Sequence, residues 1–243
     1  MKITRFIILC LGLVLTTLVF NSCNDDNGYS LDKAWYSIAT IRTGGYGATS
    51  FWMTLDSGTS LWPVASNVPL HNLQDKQRAF IVYTILSDEY KGYDHAVKVL
   101  DMKSILTKPI AENMGDENDE IYGTDPVDIS DIWIGDGYLN IVFEFNYGGK
   151  AVHYINLIES ENSNKPYFFE LRHNAYDDSE RYRRKGIVAF DLSFIDTNGV
   201  EVELAIQVNT FDGYKYYIVK YNSLNNSSVQ GGNYNMESFI ETR

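Results

Sequence analysis

Between Ala34 and Tyr221 no stretch of the chain sustains a 3.6-residue apolar period; short runs rich in Val, Ile, Phe, Tyr and Trp recur instead, with Gly, Asp and Asn between them. A helix needs that period to bury one face, so the core of this chain has to be built from sheets. The clearest run sets Val200, Val202, Leu204, Ile206 and Val208 against Glu201, Glu203, Ala205 and Gln207, the two-residue alternation of a half-buried antiparallel strand. A first group of strands is expected at 34–41, 49–55, 61–65, 78–86 and 93–100, with a further short one at 104–107. Thr43-Gly44-Gly45-Tyr46-Gly47, Asp56-Ser57-Gly58 and Asp88–Gly92 carry the loop chemistry between them. Residues 111–126 are too polar and acidic to anchor a core, so a domain boundary is expected there, closing a first domain at 34–110. A second group follows at 127–134, 139–145, 151–158, 167–173, 187–192, 200–208 and 214–221. That many short strands with frequent turns is the pattern of an antiparallel, Ig-like β-sandwich over 127–224, leaving 225–243 as a polar tail. The fold class is all-β.

The N-terminus carries an address. Lys2 and Arg5 precede an uncharged run from Ile7 to Phe20, which is shorter than the roughly 20 residues a membrane-spanning helix needs and suits a signal peptide. Ser22 then supplies a small residue before Cys23, followed by Asn24-Asp25-Asp26-Asn27. The segment resembles a lipobox, with residues 1–22 removed after Ser22, Cys23 acylated and residues 23–33 forming a polar tether. Three rival readings compete with it. Ordinary secretory cleavage fits less well because Phe20 stands where a small residue is wanted; the apolar run could instead be a retained anchor, or Cys23 an incidental cysteine. Cys10 and Cys23 are the two cysteines, so the processed chain would hold no disulfide, thiolate metal ligand or cysteine nucleophile. Acyl chains, each buried methylene contributing about 0.8 kcal/mol, would fix it to a membrane.

Charge narrows the partners. The formal net charge is −12 and grows by two negative units when Lys2 and Arg5 leave with the signal. Such acidity opposes nucleic acid and close contact with anionic lipid. A protein or glycan partner is compatible with it; the oligomeric state is left open.

Eight segments in order carry a resemblance: Cys-Asn-Asp-Asp (23–26), Asp-Ser-Gly-Thr-Ser-Leu-Trp-Pro (56–63), Tyr-Thr-Ile-Leu-Ser-Asp (83–88), Ile-Leu-Thr-Lys-Pro-Ile (105–110), Asp-Ile-Trp-Ile-Gly (131–135), Phe-Asn-Tyr-Gly-Gly (145–149), Leu-Arg-His-Asn-Ala-Tyr (171–176) and Phe-Asp-Gly (211–213). Together they resemble the NigD-like lipoproteins over residues 30–222. The resemblance implies a small OB-type barrel followed by a β-sandwich, a gut-type diderm host and an outer-membrane, surface-displayed lipoprotein. The family name derives from a bacteriocin gene cluster, which implies immunity or regulation as one role. It carries over no catalytic residue.

Chemistry is sparse in the sequence. His71, His95, His153 and His173 fall in no metal-ligand spacing, and no cofactor or metal is implied. His173 ends the alternating face Tyr167, Phe169, Leu171, where a hydrogen-bonded strand-end histidine is the expected reading; His153 has similarly apolar faces on both sides. Asp116, Asn118 and Glu120 mimic the opening of a calcium loop, but Ile121 and Val127 stand where its glycine and closing glutamate belong. No Gly-x-Ser-x-Gly elbow surrounds Ser57 or Ser60, and acidic pairs read as solvated surface. Trp52 and Trp62 are candidate sugar-stacking residues or core. Tyr176, Arg181, Tyr182, Arg183 and Arg184 gather in a basic, aromatic segment, a candidate anion or partner contact. The plainer reading is a solvated connection neutralised by Asp177, Asp178 and Glu180. The sequence thus favours a non-enzymatic binding module over two rivals, a glycan- or peptide-directed surface hydrolase and an immunity or regulatory factor.

Overall fold

Five strands close into a barrel: β1 (Trp35–Thr43), β2 (Phe51–Leu55), β3 (Ser60–Ser66), β4 (Arg78–Tyr90) and β5 (Tyr93–Ser104), in the order β1-β2-β3-β5-β4. The structure, a computed structural model, describes residues 29–44, 51–69, 73–160, 166–178 and 182–225; Cys23, His71, Glu180 and Arg181 lie outside them. All barrel pairings are antiparallel except β3 with β5, the crossover that gives the barrel its OB-like order. Alternation turns Ile41, Met53, Leu61, Ile81, Val97 and Val99 inward, each fully buried. Each such side chain contributes roughly 1.5–3 kcal/mol relative to exposure.

β4 continues through the polar residues Asp88 and Glu89, where a loop was expected, and turns on two residues. Lys91 (φ 53°) and Gly92 (φ 85°) both adopt the left-handed region, as a type I′ hairpin requires.

The second layer pair begins earlier than composition indicated. β6 (Leu106–Pro109), expected in the barrel domain, pairs in parallel with β11 (Tyr182–Asp191) in the sheet β6-β11-β8-β7, where β7 is Asp128–Gly135 and β8 Tyr138–Tyr147. The facing sheet is β13-β12-β10-β9, formed by β9 (Tyr154–Glu159), β10 (Phe168–Asn174), β12 (Val202–Thr210) and β13 (Gly213–Tyr221). β10 and β12 are also parallel, so two of the sandwich pairings are not hairpin-like. The acidic stretch 111–126 contains a helical turn over 115–122, with Asn118 buried, and leads into Val127, which joins the core. Leu204, Ile206 and Val208 face inward as their alternation demands; Val200 precedes the strand and is exposed.

Barrel and sandwich meet through a third apolar cluster drawn from both: Ile38 and Phe80 of the barrel against Trp133, Tyr138, Val142 and Ile187 of the sandwich. Gly135 belongs to this seam. A Cβ there would fall 2.2 Å from the Asp56 carboxyl carbon, so only glycine permits the approach.

Candidate functional site

Trp52 and Trp62 are positioned by their neighbours. Met53 and Leu61 pair across β2 and β3 and face the barrel core, so strand alternation puts Trp52 and Trp62 on the outside, half-buried. Tyr93, at the start of β5, joins them: its ring centroid lies 6.1 Å from that of Trp52 and 4.9 Å from that of Trp62. Lys91, in the adjoining hairpin, places its ammonium 5.4 Å from the Trp62 centroid and 5.2 Å from that of Tyr90. Asp94 pins the arrangement by accepting both the N–H and the hydroxyl of Ser60, each at 2.7 Å. Those two hydrogen bonds hold the Asp94 carboxyl below its ordinary range. The result is an aromatic platform on the β2–β3 face, the face that OB-type barrels use for extended ligands.

The basic segment resolves differently. Residues 182–185 lie on β11, and their carboxylate partners come from other strands: Arg183 donates to Asp128 at 2.9 Å, and Lys185 lies 3.3 Å from Glu144. Arg183 also stacks on Phe211 at 3.9 Å, and Arg184 sits 5.4 Å from the centre of the Tyr182 ring. Tyr176 packs edge-on against Tyr154 at 5.4 Å. Asp178, expected to neutralise this segment, is buried elsewhere.

That burial exposes a constellation the sequence did not announce. His153 and His173, 1% and 2% exposed, face each other with Nδ1 of the first 3.0 Å from Nε2 of the second. On the far side of His153, Nε2 lies 3.6 Å from Asp178 Oδ2, which also accepts the N–H groups of Lys150 (2.8 Å) and Ala151 (3.1 Å). Phe145 and Tyr147 border the rings. Burial depresses His153, against the pull of Asp178; burial together with the neighbouring His153 pushes His173 down to about 4. Burial works against ionised Asp178, yet the two backbone N–H groups and His153 keep its carboxyl below the usual value. Both rings are therefore neutral at neutral pH, and the chain ties the β8–β9 connection to the end of β10.

Among the described residues no three His, Cys, Asp or Glu side chains form a group able to hold a metal ion, and no helix is long and apolar enough to cross a membrane. Asn118 of the calcium-like segment instead braces its own turn, accepting from Met114 N and donating to Asn113.

Barrel and sandwich define a two-domain, nearly all-β protein. The chain belongs to the NigD-like family: residues 38–105 match the NigD-like N-terminal OB domain, and residues 109–221 the NigD-like C-terminal beta sandwich domain. Among solved structures, it is similar to a protein described as toxin related from Parabacteroides distasonis, with 46% identity and a TM-score of 0.72 over 79% of this chain and 94% of that one. A NigD-like immunity protein from Bacteroides caccae shares the fold at 21% identity and TM-score 0.57, over 80% of this chain and 98% of that one. So does a protein described as a lipoprotein from Bacteroides fragilis, at 14% identity and TM-score 0.58, over 79% and 100%. Among curated proteins none matches the chain.

Proposed function

We propose that the chain is a non-enzymatic binding module, held at a bacterial envelope membrane by acyl chains on Cys23, with the Trp52–Tyr93–Trp62 platform as its principal contact surface for a protein or glycan. The platform carries the reading: three large rings are gathered on the outer side of a barrel whose core is filled by other residues. Aromatic faces of this kind stack on sugars and anchor protein partners. The fold shared with a protein described as a lipoprotein supports the envelope address. Two observations count against a hydrolase acting at the histidines or between the domains: His153 and His173 are closed to solvent, and buried side chains fill the seam between barrel and sandwich.

A photo-reactive residue at position 93, activated in intact cells, tests the platform. The expected result is a discrete adduct that disappears in a Trp52→Ala/Trp62→Ala background. An adduct pattern unchanged by that double substitution, or no adduct, defeats the reading. A second role, in immunity to or regulation of a toxin, is suggested by the neighbours described as toxin related and as a NigD-like immunity protein. Deletion that leaves toxin sensitivity unaltered would remove it.

A further inference from the structure

Three strands run out together at one end of the sandwich: β6 at Pro109, β9 at Glu159 and β11 at Asp191. β6 and β11 are parallel neighbours in one sheet, while β9 is the edge of the other and meets the chain leaving β6 through the bridge Ala111–Ile158. Beyond these ends lies an open groove of about 660 Å³, a size that accommodates a small ligand or a few peptide side chains.

Its lining joins two chemistries. Ile110, Ala111 and Phe194 make it apolar, and Phe194 is 55% exposed. That exposure is imposed by the fold: Leu192 and Ile195, buried on either side, are joined by the Ile195 N–H donating to the Leu192 carbonyl at 2.9 Å. The phenyl ring is thus held out by a turn clamped into the core. Glu112, Glu159 and Asp191 line the same groove, and none is in an ion pair among the described residues. Several carboxylates elsewhere on the sandwich do have a basic partner: Asp128 with Arg183, Glu144 with Lys185, Glu170 with Arg172, Glu201 with Lys220 and Asp212 with Lys215. The basic residue of β6, Lys108, is committed inward to the Ile155 carbonyl and Asn156.

We propose that this groove binds a cationic, amphipathic peptide segment of a partner protein, one or more Lys or Arg residues interleaved with aliphatic ones. The cations meet the three unmatched carboxylates, the aliphatic side chains cover Ile110 and Ala111, and the Phe194 face serves either. An anionic glycan or nucleic acid is repelled by the same charges. The groove is separate from the barrel platform, but the inference rests on the chain being a binding module.

The full mature chain, titrated at physiological salt with a fluorescent decapeptide of alternating Leu and Lys, gives the test by anisotropy. Saturable binding is expected, weakened about tenfold or more by Phe194→Ala and by the triple change Glu112→Gln/Glu159→Gln/Asp191→Asn. The triple Glu89→Gln/Asp101→Asn/Glu203→Gln, which removes the same charge at exposed positions away from the groove, should bind as the unmodified chain does. Equal weakening by both triples, equal binding of a Gly–Lys decapeptide, or no binding by the unmodified chain overturns the proposal. Loss of peptide binding in Trp62→Ala with retention in the groove variants also overturns it, while leaving the binding-module reading standing.

Discussion

Trp133 of the sandwich donates its indole N–H to the carboxylate of Asp56 in the barrel over 2.8 Å, and the other oxygen of that carboxylate takes the guanidinium of Arg78. Arg78 is fully buried; its Nη1 donates to Thr40 at 2.9 Å and its Nη2 also to Asn140 at 3.1 Å, while Nε finds no partner among the described residues. A buried ion pair offers little net stability over an apolar pair, but removing one partner strands a charge in a low-dielectric seam. Asp56→Ala is therefore expected to cost about 3–5 kcal/mol, read as a shift in the urea midpoint. Asp56→Leu/Arg78→Met, which removes both charges, should cost clearly less. A single substitution as mild as the double one would show that Arg78 is not dependent on Asp56. Because Trp133 and Asn140 tie this barrel pair to the sandwich, intrinsic fluorescence and far-UV dichroism should report one transition for both.

The β8–β9 connection is packed tightly against Asp178. A Cβ on Gly148 would fall 2.0 Å from Asp178 Oδ1, inside any real contact distance. Asp178 cannot simply swing away, since its other oxygen holds the N–H groups of Lys150 and Ala151. Gly148→Ala should lower stability by roughly 2 kcal/mol, within the range for overpacking a closed site. In the background Asp178→Ala the same glycine change should be nearly silent, because the clashing atom is gone. Equal losses in both backgrounds would place the cost in the backbone instead.

The strand pattern was legible because its causes are local. Inward alternation in β12 and the Asp136-Gly137 turn between β7 and β8 are written within a few residues. The outward placement of Trp52 and Trp62 was also readable in principle, since each adjoins a core residue, Met53 or Leu61. What could not be read depends on register between distant strands. β6 joins β11 in parallel from over 70 positions away, and no turn chemistry marks such a pairing. Lys185 finds Glu144 because the two lie directly opposite in the β11–β8 ladder, whereas proximity in sequence pointed to Asp177, Asp178 and Glu180. His153, His173 and Asp178 each occupy an unremarkable context, and only the fold brings them into one line.

That line makes stability depend on acid. A buried histidine whose folded pKa lies below its unfolded value of about 6.5 is neutral when folded, so its contribution is complete above that value. As pH falls from there toward about 4, the depressed value for His173, the unfolded chain takes up a proton that the folded chain refuses. Stability should fall by roughly 1.4 kcal/mol per pH unit for such a group, about 3 kcal/mol over the window. His153, depressed by the same burial, adds to the loss. Urea midpoints taken at intervals from pH 7 to pH 4.5 should show this slope, and His153→Gln/His173→Gln should flatten it. A slope that survives the double substitution unchanged would assign the acid sensitivity to other groups.

If Cys23 bears acyl chains after removal of residues 1–22, the membrane association of this acidic chain depends on that thiol alone, because its net charge disfavours adhesion to anionic lipid. Cys23→Ala should move the protein from the membrane fraction to the soluble one, with the same dichroism spectrum and melting temperature for the β body. Mass spectrometry of the unsubstituted protein should find the N-terminal peptide beginning at Cys23 and heavier by its acyl groups. Retention of Cys23→Ala in membranes after an alkaline wash, or a native N-terminus without lipid, would mean that the short run from Ile7 to Phe20 acts as an anchor or that another surface holds the protein there. The two outcomes separate on size: an uncleaved anchor keeps residues 1–22, and the intact mass shows them.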